Sequence, residues 1–169
     1  MIEDCTRQIS KLCKGANIGI KIPNNFTEHL SSDTSGQAYL DSHFTRDQHP
    51  LWRHLLSIKD FNLFTNIGSP TPIFNKQVAL DYLASCNPFI RLLAVLIHCT
   101  GGQPSRGSEF VDICISNEHW RRNLYKIHGK TWFILQYSKT TNNTNMDQFV
   151  PHLLPNQVVQ LLDYYIVVI

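Results

Sequence analysis

A change in the spacing of apolar residues near Asn117 is the feature that most limits what this chain can fold into. Before it, apolar residues recur every three or four positions, which is the spacing of a helix face. After it come two β-rich runs, at residues 123–127 and 131–137, separated by the tripeptide HGK at 128–130. A short Gly-containing connection of this kind is typical of a hairpin. The order of helices, a small antiparallel sheet of two or three strands and a last helix predicts an α+β fold that is mainly helical.

The apolar spacing predicts five helices before the sheet, at residues 1–14, 51–58, 75–85, 88–99 and 105–116. The pair Asn87-Pro88 divides the third from the fourth, because Asn is a good N-cap and Pro is tolerated at the first helical position. The fourth helix is apolar nearly all round, so we expect it at the centre of the core. A third strand is expected over residues 148–154, and a last helix beginning at Pro155.

Loop-forming composition predicts the domain organisation. Residues 15–48 are rich in Asn, Ser, Gly, Asp and Thr, and residues 66–72 (NIGSPTP) also form a loop-like stretch. We place the boundary there, with an N-terminal helical and loop segment at 1–74 and the main domain at 75–169. Because the sequence ends inside the apolar run LLDYYIVVI with no capping residue, we expect this chain to be a fragment of a longer protein.

The charge balance restricts the partners this chain can bind. The formal net charge is +2 and only 17% of the 169 residues are charged, against roughly 25% in an ordinary globular chain. This excludes a histone-like basic protein, so any contact with nucleic acid must be local. The five cysteines are scattered without metal-ligand spacing, and no signal peptide is evident, which indicates reduced intracellular thiols and no metal site.

The first candidate site residues are Arg106 and Glu109, in the stretch TGGQPSRGSE at 100–109. Arg106 is expected in the first turn of a helix, on the same stripe as Phe110 and Ile113. A guanidinium beside the free N–H groups of a helix start suits a phosphate, and Glu109 could orient it. The alternative is a plain i,i+3 ion pair between Arg106 and Glu109.

The other candidates are basic. Lys139 lies at the end of the second β run, where it could reach a phosphate or protonate a leaving oxygen, or simply be solvated. Four cations on and around the first strand could form a patch that contacts a DNA backbone, or a solvated edge: Arg121, Arg122, Lys126 and Lys130. Tyr164 and Tyr165 lie on a predicted apolar helix and are interpreted as packing residues.

The order of these signals resembles the front half of the tyrosine recombinase (phage integrase) catalytic domain. That family reads T-G-x-R-x-x-E, then a hairpin lysine, then a V-P-L-like strand. The chain has Thr100-Gly101, then GQPSRGSE at 102–109, the step Tyr137-Ser138-Lys139, and FVPHLLP at 149–155. It is most similar to fungal mobile-element recombinases of the Crypton type and to segments that accompany RecQ-type helicases near fungal telomeres. The resemblance covers residues 75–169, with 1–74 in the place of the DNA-clamping portion.

The resemblance implies a role for each candidate. Arg106 would hold an oxygen of the scissile phosphate, Glu109 would support it, and Lys139 would be the general acid for the departing 5′ oxygen. His152 joins the four cations of the first strand as an expected DNA contact. The implied partner is duplex DNA in the nucleus, bound as a homo-oligomer, with no cofactor and no membrane.

The chain also departs from the family pattern. The H-x-x-R motif, a later His or Trp and the nucleophilic tyrosine of the family normally lie beyond the point where this sequence stops, and Tyr164 and Tyr165 come too early to replace that tyrosine. The segment between Gly101 and Arg106 is longer than usual. We therefore expect the 169 residues alone not to cut DNA. Two alternatives stay open: a non-catalytic DNA-binding domain attached to a RecQ-type helicase, and a structural interaction module.

Overall fold

The computed structural model describes residues 1–14, 22–23, 25–31, 34–41, 50–58, 61–65, 71, 73–102, 107–110, 113–119, 121–135 and 149–168. The helices are α1 (Ile2–Leu12), α2 (Pro50–Ser57), α3 (Lys76–Thr100), α4 (Gly107–Phe110) and α5 (Asn156–Val168). The strands are β1 (Phe64–Thr65), β2 (Ile73–Phe74), β3 (Leu124–Ile127), β4 (Lys130–Leu135) and β5 (Val150–Leu153). Both sheets are antiparallel, so the predicted α+β class is confirmed.

The first helix, α1, forms as its amphipathic pattern predicts. Cys5, Ile9 and Leu12 are buried on one face, which packs against α3 and α5. Glu3 and Asp4 lie in the first turn and a lysine lies in the last, so charges of both signs complement the helix dipole. This helix contributes to the same core as the second half of the chain.

The long helix α3 corrects the predicted division at Asn87-Pro88. It runs unbroken through Pro88 for 25 residues. Its start is capped by Asn75, whose side chain accepts a hydrogen bond from the Val78 N–H. A proline inside a helix costs one hydrogen bond and a clash of its ring with the preceding turn, but the buried stripe continues on both sides of it, so packing keeps the helix intact. That stripe consists of Cys86, Phe89, Leu93 and Leu96.

The second half of α3 is not buried all round, contrary to the expectation for residues 88–99. Ile90 is 37% exposed and Val95 is 47% exposed, and Arg91 also faces outward. By length and composition α3 is the one helix among the described residues that could cross a bilayer. Core helices of globular domains share that length and composition, and α3 packs its buried stripe against α1 and α5.

The C-terminal half of the fold matches the predicted hairpin, third strand and last helix. Strands β3 and β4 are joined at His128 and Gly129, which both have positive φ, at +48° and +70°. Such a two-residue turn suits the right-handed twist of the strands it joins. Strand β5 lies on the other side of β4, with His152 opposite Phe133. The sheet order is therefore β3-β4-β5, and α5 follows directly.

The predicted helix over 105–116 is only partly found: α4 covers Gly107–Phe110, residues 113–116 are not helical, and residues 105–106 and 111–112 lie outside the described part of the chain. Residues beyond it form β-type contacts instead. The Tyr39 N–H donates to the Ile115 carbonyl, and Ala38 and Ser116 form an isolated bridge. Because these backbone groups find partners in the segment 34–41, tertiary contact overrides the helical spacing of this stretch.

The hydrophobic core that the described residues form contains side chains from both sides of the predicted boundary at residue 74. Cys5 and Ile9 of α1 and Leu55 of α2 belong to the same cluster as Phe89 of α3 and Val158 of α5. The first 74 residues thus help to bury the main helices. Their assignment as a DNA-clamping portion stays a prediction.

Candidate functional site

The three predicted catalytic residues lie mainly outside the part of the chain that is described. Arg106 and Lys139 fall in the undescribed stretches 103–106 and 136–148, and for Glu109 only the backbone, within α4, is described. Described residues adjoin both undescribed stretches along the chain. These are the end of α3, the helix α4, and the last residues of β4 with their partners on β5.

Three residues make a tight contact where α3 ends. The Gly101 carbonyl accepts a hydrogen bond from Nδ1 of His152 at 3.0 Å. The His152 ring stacks on the Phe133 ring with centroids 4.3 Å apart and planes 4° from parallel. A Cβ on Gly101 would lie 2.6 Å from Cε1 of Phe133, so any larger residue would force the Phe133 ring or the chain to shift. We call this contact of Gly101, Phe133 and His152 the Gly101 junction.

The Gly101 junction brings together the starting points of the two segments that carry the predicted cations. Arg106 follows Gly101 by five residues, and Lys139 follows Leu135, the end of β4, by four. At about 3.5 Å per extended residue these spans are at most about 18 Å and about 14 Å. Chain length thus permits both side chains to reach one phosphate.

Helix α4 is held against the end of α3 by an aromatic contact. The rings of His98 and Phe110 meet edge to face, with centroids 5.0 Å apart. Among the described residues, Nδ1 of His98 is buried without a hydrogen-bond partner. The contact keeps α4, and with it the backbone of Glu109, close to the last turn of α3.

The structure corrects the role predicted for Arg122, which is buried rather than available to DNA. Its Nη1 lies 2.6 Å from Oε1 of Glu28 and also donates to the Ala38 carbonyl. Its guanidinium lies 4.9 Å from the centre of the Tyr125 ring. A guanidinium with 2% exposure and a carboxylate partner is a structural ion pair.

The structure likewise removes Lys126 from the predicted DNA surface. Its Nζ contacts Oδ2 of Asp163 on α5 at 2.5 Å, with both residues buried. The other carboxylate oxygen accepts a hydrogen bond from the Tyr39 hydroxyl at 2.7 Å, and that hydroxyl also bonds Thr131. Burial raises the pKa of Asp163, while Lys126 and Tyr39 favour the ionised carboxylate. This network joins the hairpin to α5.

His152 is also too deeply buried for the direct DNA contact expected of it. It is 5% exposed, and its Nδ1 is engaged with Gly101. Of the five predicted DNA contacts, Arg121 and Lys130 are exposed. Arg121 donates to the Leu30 carbonyl from Nη2 at 2.5 Å. The accessible part of the predicted patch therefore consists of these two side chains.

Sequence reasoning missed the two acidic partners, Glu28 and Asp163. Asp163 carried a usable signal, because a lone carboxylate among the apolar residues of LLDYYIVV implies a buried cationic partner. Glu28 carried no such signal, since it lies in a polar stretch without periodicity.

The tyrosines near the C-terminus pack in the core region, in keeping with their interpretation as packing residues. The Tyr165 ring lies 5.5 Å from the Phe89 ring, and burial raises the pKa of the Tyr165 hydroxyl.

The motif H-x-x-R occurs twice in the sequence, at 43–46 and at 119–122. Both copies precede the hairpin, whereas in the family the motif follows it. The arginine of the second is the buried Arg122. Within the described residues, no group of three His, Cys, Asp or Glu side chains is placed to hold a metal ion.

Comparison with known proteins adds no relative. No protein-family model, curated protein or solved structure matches this chain.

Proposed function

We propose that this chain is the DNA-binding front part of a tyrosine-recombinase-like protein whose complete form cuts and rejoins duplex DNA. Arg106 binds a non-bridging oxygen of the phosphate, Glu109 orients Arg106, and Lys139 protonates the leaving 5′ oxygen. The 169 residues by themselves bind DNA without cutting it, because Tyr164 and Tyr165 come earlier than the position that the family gives its nucleophilic tyrosine.

The observation that supports this proposal is the Gly101 junction. Two short segments, one carrying Arg106 and the other Lys139, depart from neighbouring points in the fold. A phosphodiester cleavage site needs a cation on the phosphate oxygens and a proton donor for the leaving oxygen within reach of the same phosphorus. A common origin for both segments is compatible with such a site and supports the proposal.

Arg121 and Lys130 are the DNA-backbone contacts in this proposal. Both are exposed, one just before β3 and the other at the start of β4. Together with Arg106 and Lys139 they give at most four phosphate contacts, so the salt dependence of binding should be shallow. A logarithmic slope of about −3.6 against salt concentration corresponds to four contacts on B-form DNA.

The test is fluorescence anisotropy of a labelled DNA duplex titrated with the wild-type chain and with Arg106→Ala and Lys139→Ala. Each substitution should weaken binding several-fold. It should also reduce the magnitude of the slope of log affinity against log salt concentration by about 1. Matched controls are Arg91→Ala and Lys76→Ala, two exposed cations of α3 outside the predicted site. If all four variants bind alike, or the wild-type chain does not bind, the DNA proposal is wrong and the structural-module alternative takes its place.

Cleavage is tested separately by incubating the purified chain with end-labelled duplex and separating the products under denaturing conditions. We expect no covalent protein–DNA adduct, since a phosphotyrosyl link requires a positioned tyrosine nucleophile. An adduct that disappears on Tyr164→Phe or Tyr165→Phe would contradict the assignment of these residues to packing.

A further inference from the structure

The sheet β3-β4-β5 has two outer edges, and the chain itself occupies the edge at β3. The Lys126 N–H donates to Oε2 of Glu28 at 2.7 Å, and the Lys126 carbonyl accepts the Glu28 N–H at 2.8 Å. Backbone groups that are already bonded in this way offer nothing to a further strand. The segment 25–31 therefore closes the edge at β3.

The edge at β5 differs, because the register directs every second residue of this strand away from the sheet. The Leu154 N–H donates to the Thr131 carbonyl at 3.0 Å, so these two residues form a hydrogen-bonded pair. Such pairs alternate along an antiparallel ladder, so residues 152 and 150 also bond to β4. Among the described residues, no strand pairs with β5 on its other side. Three residues direct their backbone groups to that open side: Phe149, Pro151 and Leu153.

Strand β5 and the residue before it are apolar as well as unpaired on this side. Phe149 is 61% exposed, and Val150 and Leu153 are each 40% exposed. The segment FVPHLL at 149–154 contains no Lys, Arg, Asp or Glu, although charged residues commonly protect an edge. An exposed apolar edge without charges is a template for pairing with another chain. Some other feature of β5 must provide the protection.

Pro151 lies in the middle of the three outward residues and is exposed. It stands opposite Ile134 in a pair that makes no hydrogen bonds, so the missing N–H costs the β4–β5 ladder nothing. On the outward side, the ring carbon Cδ takes the place of the amide hydrogen that would meet the carbonyl of an added strand. Proline in sheets is confined mainly to such edge positions.

We propose that Pro151 is an edge-protecting residue, which prevents β5 from pairing with β5 of a second copy of this chain. Without the proline, two copies pair antiparallel about a twofold axis at residue 151, with residue 149 of each copy opposite residue 153 of the other. The central pair forms its N–H···O bonds only when residue 151 has an N–H. This proposal goes beyond DNA binding and does not rest on it.

The first experiment compares self-association of the wild-type chain, Pro151→Val and Pro151→Thr by sedimentation velocity over a range of protein concentrations. Both variants restore an N–H with a residue that favours strands, and threonine does so without a larger apolar side chain. We expect both to self-associate at least about tenfold more tightly than wild type, because the central pair recovers its hydrogen bonds.

Either variant decides if the other does not fold. Unchanged association of the folded variants would mean that the proline does not protect the edge. With both folded, tighter association of Pro151→Val alone would mean that apolar side chains cause the pairing. Each of these results would overturn the proposal.

Two controls locate the association. The double variant Pro151→Val, Leu153→Pro moves the proline to the next outward position, where it again leaves the bonds to β4 intact, and it should associate like wild type. Pro88→Ala, at an exposed proline of α3, should not change association. If the double variant still associates tightly, or Pro88→Ala acts like Pro151→Val, the association lies elsewhere and the proposal is wrong.

The second experiment measures amide hydrogen exchange within β5. In the wild-type chain the Leu153 amide, which faces outward, should exchange at least about tenfold faster than the His152 amide, which is bonded to β4. In Pro151→Val, at concentrations where it associates, the Leu153 amide should become protected. A Leu153 amide that is already protected in wild type, or that stays unprotected in the associated variant, would overturn the proposal.

Discussion

Gly101 is the residue on which the candidate site depends most directly. It ends α3, its N–H donates to the Ile97 carbonyl, and its α-carbon faces the Phe133 ring. Its φ of −73° is open to any residue, so close approach and not a left-handed backbone is what requires glycine here. The sequence pattern T-G indicated that Gly101 belongs to a motif, but it gave no indication of the contact between Gly101 and the Phe133 ring.

We predict that Gly101→Ala lowers the free energy of unfolding by about 1–3 kcal/mol, the usual effect of overpacking a filled position. The added methyl group would overlap the Phe133 ring at 2.6 Å and the Ile97 carbonyl at 3.0 Å. Urea unfolding measures the change. Gly107→Ala is the matched control, because a Cβ there meets nothing within 4 Å. A Gly101→Ala variant as stable as this control would contradict the packing argument.

At the scale of elements, α3 shows why a local signal can mislead. Asn87-Pro88 is a good helix start, yet the chain is helical on both sides of it. Pro at N1 and Pro inside a helix share the same φ, so the dihedral angle alone does not distinguish them. The continuity of α3 depends on the buried stripe through Cys86, Phe89 and Leu93. This stripe keeps the same helical phase on both sides of the proline and packs on α1 and α5.

We predict that Pro88→Ala raises the free energy of unfolding by about 1–3 kcal/mol, since alanine restores a backbone N–H donor in the middle of α3 and removes the ring clash. Pro88 is exposed, so no core packing is lost. Thermal and urea unfolding measure the gain. Asn87→Ala, an exposed substitution in the same turn, should change stability by less than about 0.7 kcal/mol. A loss of stability in Pro88→Ala would mean that the proline shapes the helix.

At the scale of the whole molecule, two buried ion pairs among the described residues join distant parts of the chain. Arg122 and Glu28 join the start of the hairpin to the segment 25–31, and Lys126 and Asp163 join β3 to α5. Glu28 also accepts the backbone N–H groups of Leu40 and Lys126. Arg122 and Lys126, two of the four cations whose position around the first strand suggested a DNA contact, are therefore used to hold the fold together.

We predict that Glu28→Ala lowers the free energy of unfolding by about 3–5 kcal/mol, because it leaves the Arg122 guanidinium buried without a counter-charge. The double variant Glu28→Leu, Arg122→Met should recover part of this loss, since it removes both charges. Asp4→Ala, which breaks the exposed pair with Arg7, is the matched control and should have a far smaller effect. Equal effects of Glu28→Ala and Asp4→Ala would argue against a structural role for the buried pair.

We predict that the protein loses stability above pH 9. Burial raises the pKa of the Cys5, Cys13 and Cys86 thiols above 9.0 and that of the Tyr39 and Tyr82 hydroxyls above 10.0. These groups ionise first in the unfolded chain, so their contribution is complete below pH 9 and is lost as the pH rises through their folded-state values. Each thiol contributes at most about 1.4 kcal/mol per pH unit, in the range between its unfolded-state and its folded-state pKa, and each hydroxyl contributes in the same way only above pH 10.

Urea unfolding at several pH values between 8 and about 10.5 measures this decline. Cys13→Ala should make it shallower, whereas Cys99→Ala, at an exposed thiol, should leave the slope unchanged. A free energy of unfolding that is constant across this range would contradict the burial of these groups.

The sequence alone determined the α+β class, the amphipathic α1, the hairpin at His128-Gly129 and the helix after Pro155. These features depend on the spacing of apolar residues and on turn chemistry, which act over a few neighbouring positions. Only the tertiary structure decided that α3 is continuous and that residues 113–117 pair with the segment 34–41. It also decided that Arg122, Lys126 and His152 are buried. Each of these outcomes depends on partners far away along the chain, for example 37 residues for Lys126 and Asp163 and 94 residues for Arg122 and Glu28. Local spacing carries no information about which distant group will satisfy a backbone donor or a buried charge.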